Sequence, residues 1–598
     1  MIRDGLLEQT RTFEGEGTES HTTAARATLQ SLLNGFLRET ALGVWQELDG
    51  RWQLEVPLAS QGGSILVELK YRSLTGRHLF QFPLQWKGTG AEASAEDELV
   101  LAERLVLELG HQVKVEDSAR TAELLQKIKE SCAAIQHIVE ARDGDRDQLY
   151  GFEGDFITAE QSLLFGHLLH PTPKSRDGVP ESLNGVFSPE LKGQFQLHYF
   201  RAHKSIVRED SALADTSATE WIKSDLRRAD ASLPFTETDA YTLIPLHPLQ
   251  AEEVLAKPAV QKLIEAGLLE NLGPLGRYYS ATSSFRTMYH QESPFMPKGS
   301  VPVRITNSVR INLFKELERG VEVSRLLRTK VGEVSKEYPA FAIVNDPAYV
   351  SIALDGQEES GFEVVLRANP FQGEQAKQAS LVASLVQDPL PGSESRLSTI
   401  IRQLAKQEGR STGEVSLDWF RQYLAISLAP MIWLYETHGI ALEAHQQNSV
   451  VQLHEGYPHK YYYRDNQGYY FCNSMKEHLS KELPGIGEKS QTFCEDAVAD
   501  ERFRYYVIFN HLFGLINGFG TAGLADEREL LRELRGVLEQ FLPMNREPSI
   551  FLKSLLTEAK IPCKANLLTR LYDMDELVGS LENQSVYVLV DNPLVTEV

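Results

Sequence analysis

The 598-residue chain carries 60 Lys and Arg against 83 Asp and Glu, a formal charge of −23, with 42% hydrophobic and 24% charged residues. This is the composition of a globular protein long enough for roughly three or four domains. The acidic balance argues against a nucleic-acid partner, whose phosphates need a cationic surface, and the lack of any apolar run of about 18 residues argues against a membrane-spanning one. Its four cysteines, Cys132, Cys472, Cys494 and Cys563, form no C-x-x-C pair, so neither a disulfide framework nor a cysteine zinc site is expected. Met1–Glu8 has no apolar core of signal-peptide length, and the expected location is cytoplasmic.

In chain order, the spacing of Leu29, Leu32, Leu33 and Phe36 predicts a helix over 21–42. Strand-like runs at Trp52–Leu58, Ser64–Tyr71 and His78–Trp86, separated by Gly62-Gly63 and Gly76, predict an antiparallel meander. Helices follow near 96–109 and 118–141. From about 151 the chain becomes rich in His, Arg, Ser and Thr, and from about 376 helices dominate. The strongest is Ser416–Glu436, with Pro430 expected to kink it; others are expected near 498–516, 526–541 and 549–559. Pro389–Ser395 is the best linker. The fold class is α+β and multidomain, divided as 1–165, 166–388 and 389–598.

Several segments carry chemistry. Val301–Asn312 (V-P-V-R-I-T-N-S-V-R-I-N), read as a strand, puts Arg304, Thr306, Ser308, Arg310 and Asn312 on one face. Guanidinium and hydroxyl donors suit a carboxylate or phosphate ligand, and a half-buried strand with a solvated face explains the same pattern. In Tyr278–His290 (Y-Y-S-A-T-S-S-F-R-T-M-Y-H), Ser284 and Arg286 share a strand face, Thr287 adjoins them and Lys298 follows. His438–Asn448 (H-G-I-A-L-E-A-H-Q-Q-N) opens with Gly439 as a helix C-cap and, if extended, aligns Glu443, His445 and Gln447. Asp465 arrives after a hairpin, and a carboxylate there suits Mg²⁺ and phosphate; a hydrogen-bonded structural histidine remains the other reading of His445. Gly166–Gly178 (G-H-L-L-H-P-T-P-K-S-R-D-G) holds His167 and His170 without a third nearby ligand, which disfavours zinc. Leu243–Gln250 reads as a buried strand entering a helix, with structural residues. There is no G-x-x-x-x-G-K-[ST], and G-F-G-T-A-G at Gly518–Gly523 follows a helix rather than a strand, so it reads as a helix-terminating loop.

Taken in order, G-H-x-x-H-P-x-x-K-x-R-x-G, x-H-P-x-Q, S-S-x-R-T, R-I-T-N-S-x-R, H-G-x-x-x-E-x-H-x-Q-N and R-D-x-x-G resemble the NRPS-independent siderophore synthetases, the IucA/IucC family, over about His167–Asp465. The R-I-T-N-S-V-R wording resembles the subgroup acting on free citrate. The resemblance implies a cupped hand with an N-terminal thumb, β-rich fingers and a helical palm with a kinase-like element. It implies ATP and Mg²⁺ as cofactors, a homodimer, and adenylation of citrate followed by attack of an amine or alcohol. By position it implies nucleotide contacts from Ser284, Arg286, Thr287, Lys298, Arg310, His445, Gln447, Asn448 and Asp465. Citrate contacts are implied from His170, Arg286, Thr306, Arg310, Arg502 and Lys564, Mg²⁺ ligands from Glu443 and Asp465, and catalytic roles for Arg286, Arg310 and His445. An ATP-dependent phosphotransferase and a non-catalytic carboxylate-binding scaffold are the competing classes.

Overall fold

A computed structural model describes residues 18–114, 118–229, 239–574 and 585–598. The fold is mixed α and β, with three large hydrophobic clusters. The first helix, Glu19–Thr40, is capped by the Thr18 hydroxyl, which accepts the His21 N–H, and it buries Leu29, Leu32, Leu33 and Phe36. These residues meet a five-stranded sheet in sequence order that contains the expected antiparallel meander as Arg51–Leu58, Gly63–Tyr71 and Leu79–Gly88. Helices Glu98–Gln112 and Ser118–Arg142 pack beside them. The same cluster takes in Ala565, Leu567, Leu568 and Leu571, so the two ends of the chain share one core.

Two four-stranded sheets form the middle region. One orders Met288–Tyr289, Leu269–Ala281, Gln194–His203 and Tyr241–Leu246; the other orders Phe295–Gly299, Val364–Ala368, Ala348–Ile352 and Val207–Ser211. Both feed one hydrophobic cluster. Leu243–Gln250 behaves as expected: the strand ends at Leu246, the His247 ring accepts the Leu249 N–H, and Pro248 opens the next helix.

Further on, the hairpin Ser449–His454 and Tyr457–Arg464 is flanked by Ala379–Leu381 and, in parallel, by Phe341–Val344. Segments from both sides of residue 388 therefore build one sheet. The predicted helix Ser416–Glu436 is two helices, Thr412–Ile426 and Leu428–His438, broken at Ser427. Pro430 has no N–H to give, and its ring clashes with the carbonyl four residues earlier, at Ile426, which is where the first helix stops. Gly439 caps the second helix in the left-handed conformation at φ 67°. Asp496–Phe503 continues through a π-helical stretch, Arg504–Leu512, into Phe513–Thr521. The G-F-G-T-A-G segment thus lies largely inside a helix rather than in a loop. Two of its glycines serve packing: a Cβ on Gly518 would come within 2.7 Å of Val386, and one on Gly520 would run into the Tyr71 hydroxyl. The expected linker Pro389–Ser395 does join two helices, but it is pinned, with Leu390 buried and its N–H given to the Tyr150 hydroxyl at 3.0 Å. All four cysteines are free and buried. Among the described residues no helix is long and apolar enough to cross a membrane.

One buried ion pair joins these regions. Arg464, at the end of the hairpin, donates to Glu160 and, at 2.9 Å, to the Gln447 carbonyl. Glu160 also accepts the Ser283 N–H at 2.9 Å and its hydroxyl at 2.6 Å. The two charged side chains are only 4% and 0% exposed, so Glu160→Ala should leave Arg464 charged, buried and without its carboxylate. The expected loss is about 3–5 kcal/mol, read as a lowered denaturation midpoint; an unchanged midpoint would show that the pair does not hold these regions together.

Candidate active site

The regions enclose a cleft with a cavity of about 450 Å³. Its lining contains thirteen Lys and Arg but four Asp and Glu, the reverse of the chain's overall balance of −23. All fourteen residues to which the family resemblance assigns a role line it. Such a concentration of donors on low-dielectric walls is suited to a polyanion.

Lys298, in the strand Phe295–Gly299, occupies a buried position in that wall. Its ammonium donates to Asp465 Oδ1 at 2.8 Å and to Asn466 Oδ1 at 2.6 Å. Asp465 follows the hairpin, as expected, and also accepts the Gln467 N–H at 3.1 Å and the Asn448 amide at 3.3 Å. Burial opposes ionisation of Asp465, but Lys298 and Arg367 overcome it and hold the carboxyl well below the usual carboxylate range. Burial pulls the Lys298 ammonium down, and the positive charges of Arg286 and Arg367 add to that against the pull of Asp465. Arg367 is fixed by a two-pronged pair with Asp346 at 2.8 and 2.9 Å. No sequence motif marks Arg367, which lies opposite Met296 in the strand paired with that of Lys298.

The two donor-rich segments have conformations different from those predicted. The strand Leu269–Ala281 ends before Ser284, and residues 282–287 form a turn with Phe285 at φ 67°. Ser284 Oγ accepts the Thr287 N–H at 3.1 Å within it. The Thr287 hydroxyl is buried with no hydrogen-bond partner. Val301–Asn312 is not one strand but a short hairpin, Arg304–Ile305 paired with Ser308–Val309, turning at Thr306 with φ 56°. The alternating-face argument therefore fails: Arg304 goes to Asp573 at 2.7 Å, outside the cleft, while Arg310 enters it. Arg310 donates to the Thr306 hydroxyl and the Ile305 carbonyl, each at 3.0 Å. Arg286 is held by the Ile311 carbonyl, Asn312 at 3.1 Å and Gln467. Burial brings its guanidinium down to about 10, so it stays charged at neutral pH.

After the strand Ile440–Leu442 the chain runs without regular structure to His445 and then turns; Glu443 and His445 line the cleft, and Gln447 reaches it from the turn, donating to Ser283 at 3.1 Å. Burial pushes His445 down to about 3. Its Nδ1 accepts the Asn448 N–H at 3.3 Å, which leaves the proton of the neutral ring on Nε2, 3.8 Å from Glu443. Glu443 accepts the Tyr470 hydroxyl at 3.0 Å. His170 accepts the Thr172 N–H at 3.1 Å and faces Asn307 at 3.2 Å. Arg502 donates to the Tyr587 hydroxyl, and Lys564 lies 5.7 Å from the Tyr505 ring centre. His167 and His170, with ring centres 6.2 Å apart, turn to Asn510 and Asn307. Lys174 and Arg176, from the same loop, both clamp Glu190. Among the described residues no three His, Cys, Asp or Glu side chains converge on a metal position. Two acidic residues flank Gly468: a Cβ there would lie 2.5 Å from Glu443 Cβ and 3.5 Å from Asp465 Oδ2. Both line the cleft and both carry the oxygen donors that suit Mg²⁺, which binds through one or two carboxylates and completes its shell with water and phosphate.

The model of the IucA / IucC family matches residues 155–387, and one described as ferric iron reductase FhuF-like transporter matches residues 417–579. The chain is 52% identical over 597 residues to the spermidine-citrate ligase of Bacillus anthracis, covering 96% of this chain and 98% of the relative. It is 37% identical to the rhizobactin siderophore biosynthesis protein RhbC of Rhizobium meliloti, covering 96% and 97%. The ATP-bound aerobactin synthetase IucA from Klebsiella pneumoniae superimposes with a TM-score of 0.87 at 27% identity, covering 95% of this chain and 99% of that one.

Gly468→Ala tests the close approach at this point. Its methyl would sit 2.5 Å from Glu443 Cβ, so overpacking should cost roughly 1–3 kcal/mol and lower the denaturation midpoint. An unchanged midpoint would mean that Glu443 and Gly468 are not closely packed.

Proposed function

This chain belongs to the IucA/IucC family, and we propose that it is an ATP-dependent siderophore synthetase that adenylates a carboxylate of citrate and joins it to an amine. The observation that carries this reading is the cationic cleft of an acidic chain, because citrate beside a triphosphate concentrates negative charge in one place. The ligase and siderophore-biosynthesis names of the relatives support it. At 52% identity, the spermidine-citrate ligase supports a polyamine as the nucleophile. We read the fold as the cupped hand of thumb, fingers and palm over 1–165, 166–388 and 389–598, the palm with its kinase-like element, and the protein as a cytoplasmic homodimer.

In the first step a citrate carboxylate oxygen attacks the α-phosphorus of ATP, pyrophosphate leaves, and an acyl-adenylate forms. Arg286 and Arg310 are placed to stabilise the charge that builds on the phosphoryl oxygens. Ser284, Thr287 and Lys298 hold the phosphates, and the partnerless Thr287 hydroxyl has a donor to give. His445, being neutral, serves as an Nε2–H donor. Gln447, Asn448 and Asp465 complete the nucleotide side. Glu443 and Asp465 would hold Mg²⁺, which supplies charge neutralisation at the phosphates when bound. His170, Thr306, Arg502 and Lys564 orient citrate. In the second step the amine nitrogen attacks the acyl carbon, its proton is lost, and AMP leaves with the C–O bond electrons.

Purified protein is mixed with ATP, Mg²⁺ and spermidine, with citrate, 2-oxoglutarate, succinate or no acid. Citrate-dependent pyrophosphate with AMP is expected, and its loss on chelation of Mg²⁺. ADP would establish a phosphotransferase instead, and no turnover with any acid would leave only a binding role. Within the same assay, Arg310→Ala should cut pyrophosphate release by about 10²–10³-fold, as loss of one transition-state donor does, with folding retained. Near-normal turnover would remove Arg310 from the site.

A further inference from the structure

The segment that brings Lys564 and Asn566 to the cleft lies near the end of the chain, and it is fastened to the beginning. Lys560–Lys564 is a strand paired with Tyr587–Asp591, and Asn566–Leu571 is the helix that follows it. The first N–H groups of a helix have no partner within the helix. Here the Leu567 and Leu568 N–H groups are taken by the two carboxylate oxygens of Glu39, at 2.8 and 2.7 Å. Glu39 sits in the last turn of Glu19–Thr40. The preceding residue, Arg38, lines the cleft itself and donates to the Thr75 and Gly76 carbonyls at 3.3 and 3.4 Å. Below this contact Leu567, Leu568 and Leu571 pack with Leu29, Leu33 and Phe36. The side chains that reach the cleft are immediately upstream: Lys564 lies over the Tyr505 ring, and Asn566 donates to the Tyr505 hydroxyl at 3.3 Å.

We infer that Glu39 is a positioning residue for the acid substrate: by holding both leading N–H groups of Asn566–Leu571 it sets where Lys564 and Asn566 stand in the cleft. The inference rests on the reading above, in which Lys564 meets a distal carboxylate of citrate. The hydrophobic contacts hold the helix against the N-terminal core. A two-pronged carboxylate on consecutive N–H groups fixes its first turn, the part next to Lys564 and Asn566. Nucleotide contacts come from other segments and are independent of it.

The test uses Glu39→Ala and Glu39→Gln in the full chain, with KM and kcat determined separately for citrate and ATP. Glu39→Ala should raise the KM for citrate by about tenfold while leaving the KM for ATP within about twofold, the pattern of lost binding to one substrate. Glu39→Gln, which keeps the shape and one acceptor oxygen, should recover most of that loss. If Glu39→Ala does not fold, Glu39→Gln carries the test alone through a smaller rise confined to citrate. Equal rises for both substrates, or no change in a folded variant, would overturn the inference. Absence of citrate-dependent turnover in the unaltered protein would instead overturn the proposed reaction, and a titration of citrate binding to the Glu39 variants would then decide the positioning role by itself.

Discussion

The structure depends on keeping many like charges together in one cleft. Thirteen cationic side chains on a single wall repel one another, and burial raises the cost of each. The fold answers this with acceptors placed individually. Glu190 serves Lys174 and Arg176, Glu160 serves Arg464, Asp346 serves Arg367 and Asp465 serves Lys298. Each acceptor belongs to a different element from its cation. The regions cannot separate without leaving buried charges unpaired, so the site and the tertiary arrangement are stabilised by the same contacts.

Two kinds of cation result. Lys298, Arg367 and Arg464 are matched by carboxylates. Arg286 is oriented by the Ile311 carbonyl, Asn312 and Gln467, and Arg310 donates to the Thr306 hydroxyl and the Ile305 carbonyl. These oxygens are uncharged, so they aim the two guanidiniums without taking their charge.

Much of this was legible in the sequence. Periodicity located the first helix and the meander, because each has one apolar face on one core. The motifs, through the family resemblance they carry in order, located residues that meet in the cleft. The conformations of the two donor segments were not legible. Both rest on positive φ at a residue that carries no glycine signal, Phe285 and Thr306, and the alternation of Val301–Asn312 imitates a strand. Arg367, Gln467 and Glu39 were missed for a related reason: Arg367 pairs with Asp346 in a neighbouring element, Gln467 meets Arg286 from 181 residues away, and Glu39 acts through backbone N–H groups, none of which leaves a local pattern.

Those two positive-φ residues connect conformation to charge. A non-glycine residue in the left-handed region costs of order 1–3 kcal/mol, and such strain persists only where the surroundings overdetermine it. Phe285 is buried in the middle cluster, and the Thr306 hydroxyl accepts from Arg310. The turn at Phe285 ends the strand and sends the next residue, Arg286, toward Ile311 and Asn312. The turn at Thr306 folds the hairpin so that Arg304 points out to Asp573 while Arg310 points in. Had Val301–Asn312 continued as an extended strand, Arg304 and Arg310 would have been delivered to the same face. The turn at Thr306 instead brings Arg310 alone of that pair to the cleft, and Asn312 and Gln467 set Arg286. The chain thereby obtains two charged donors fixed in place at the cleft before any ligand arrives, the preorganisation an anion-stabilising site requires.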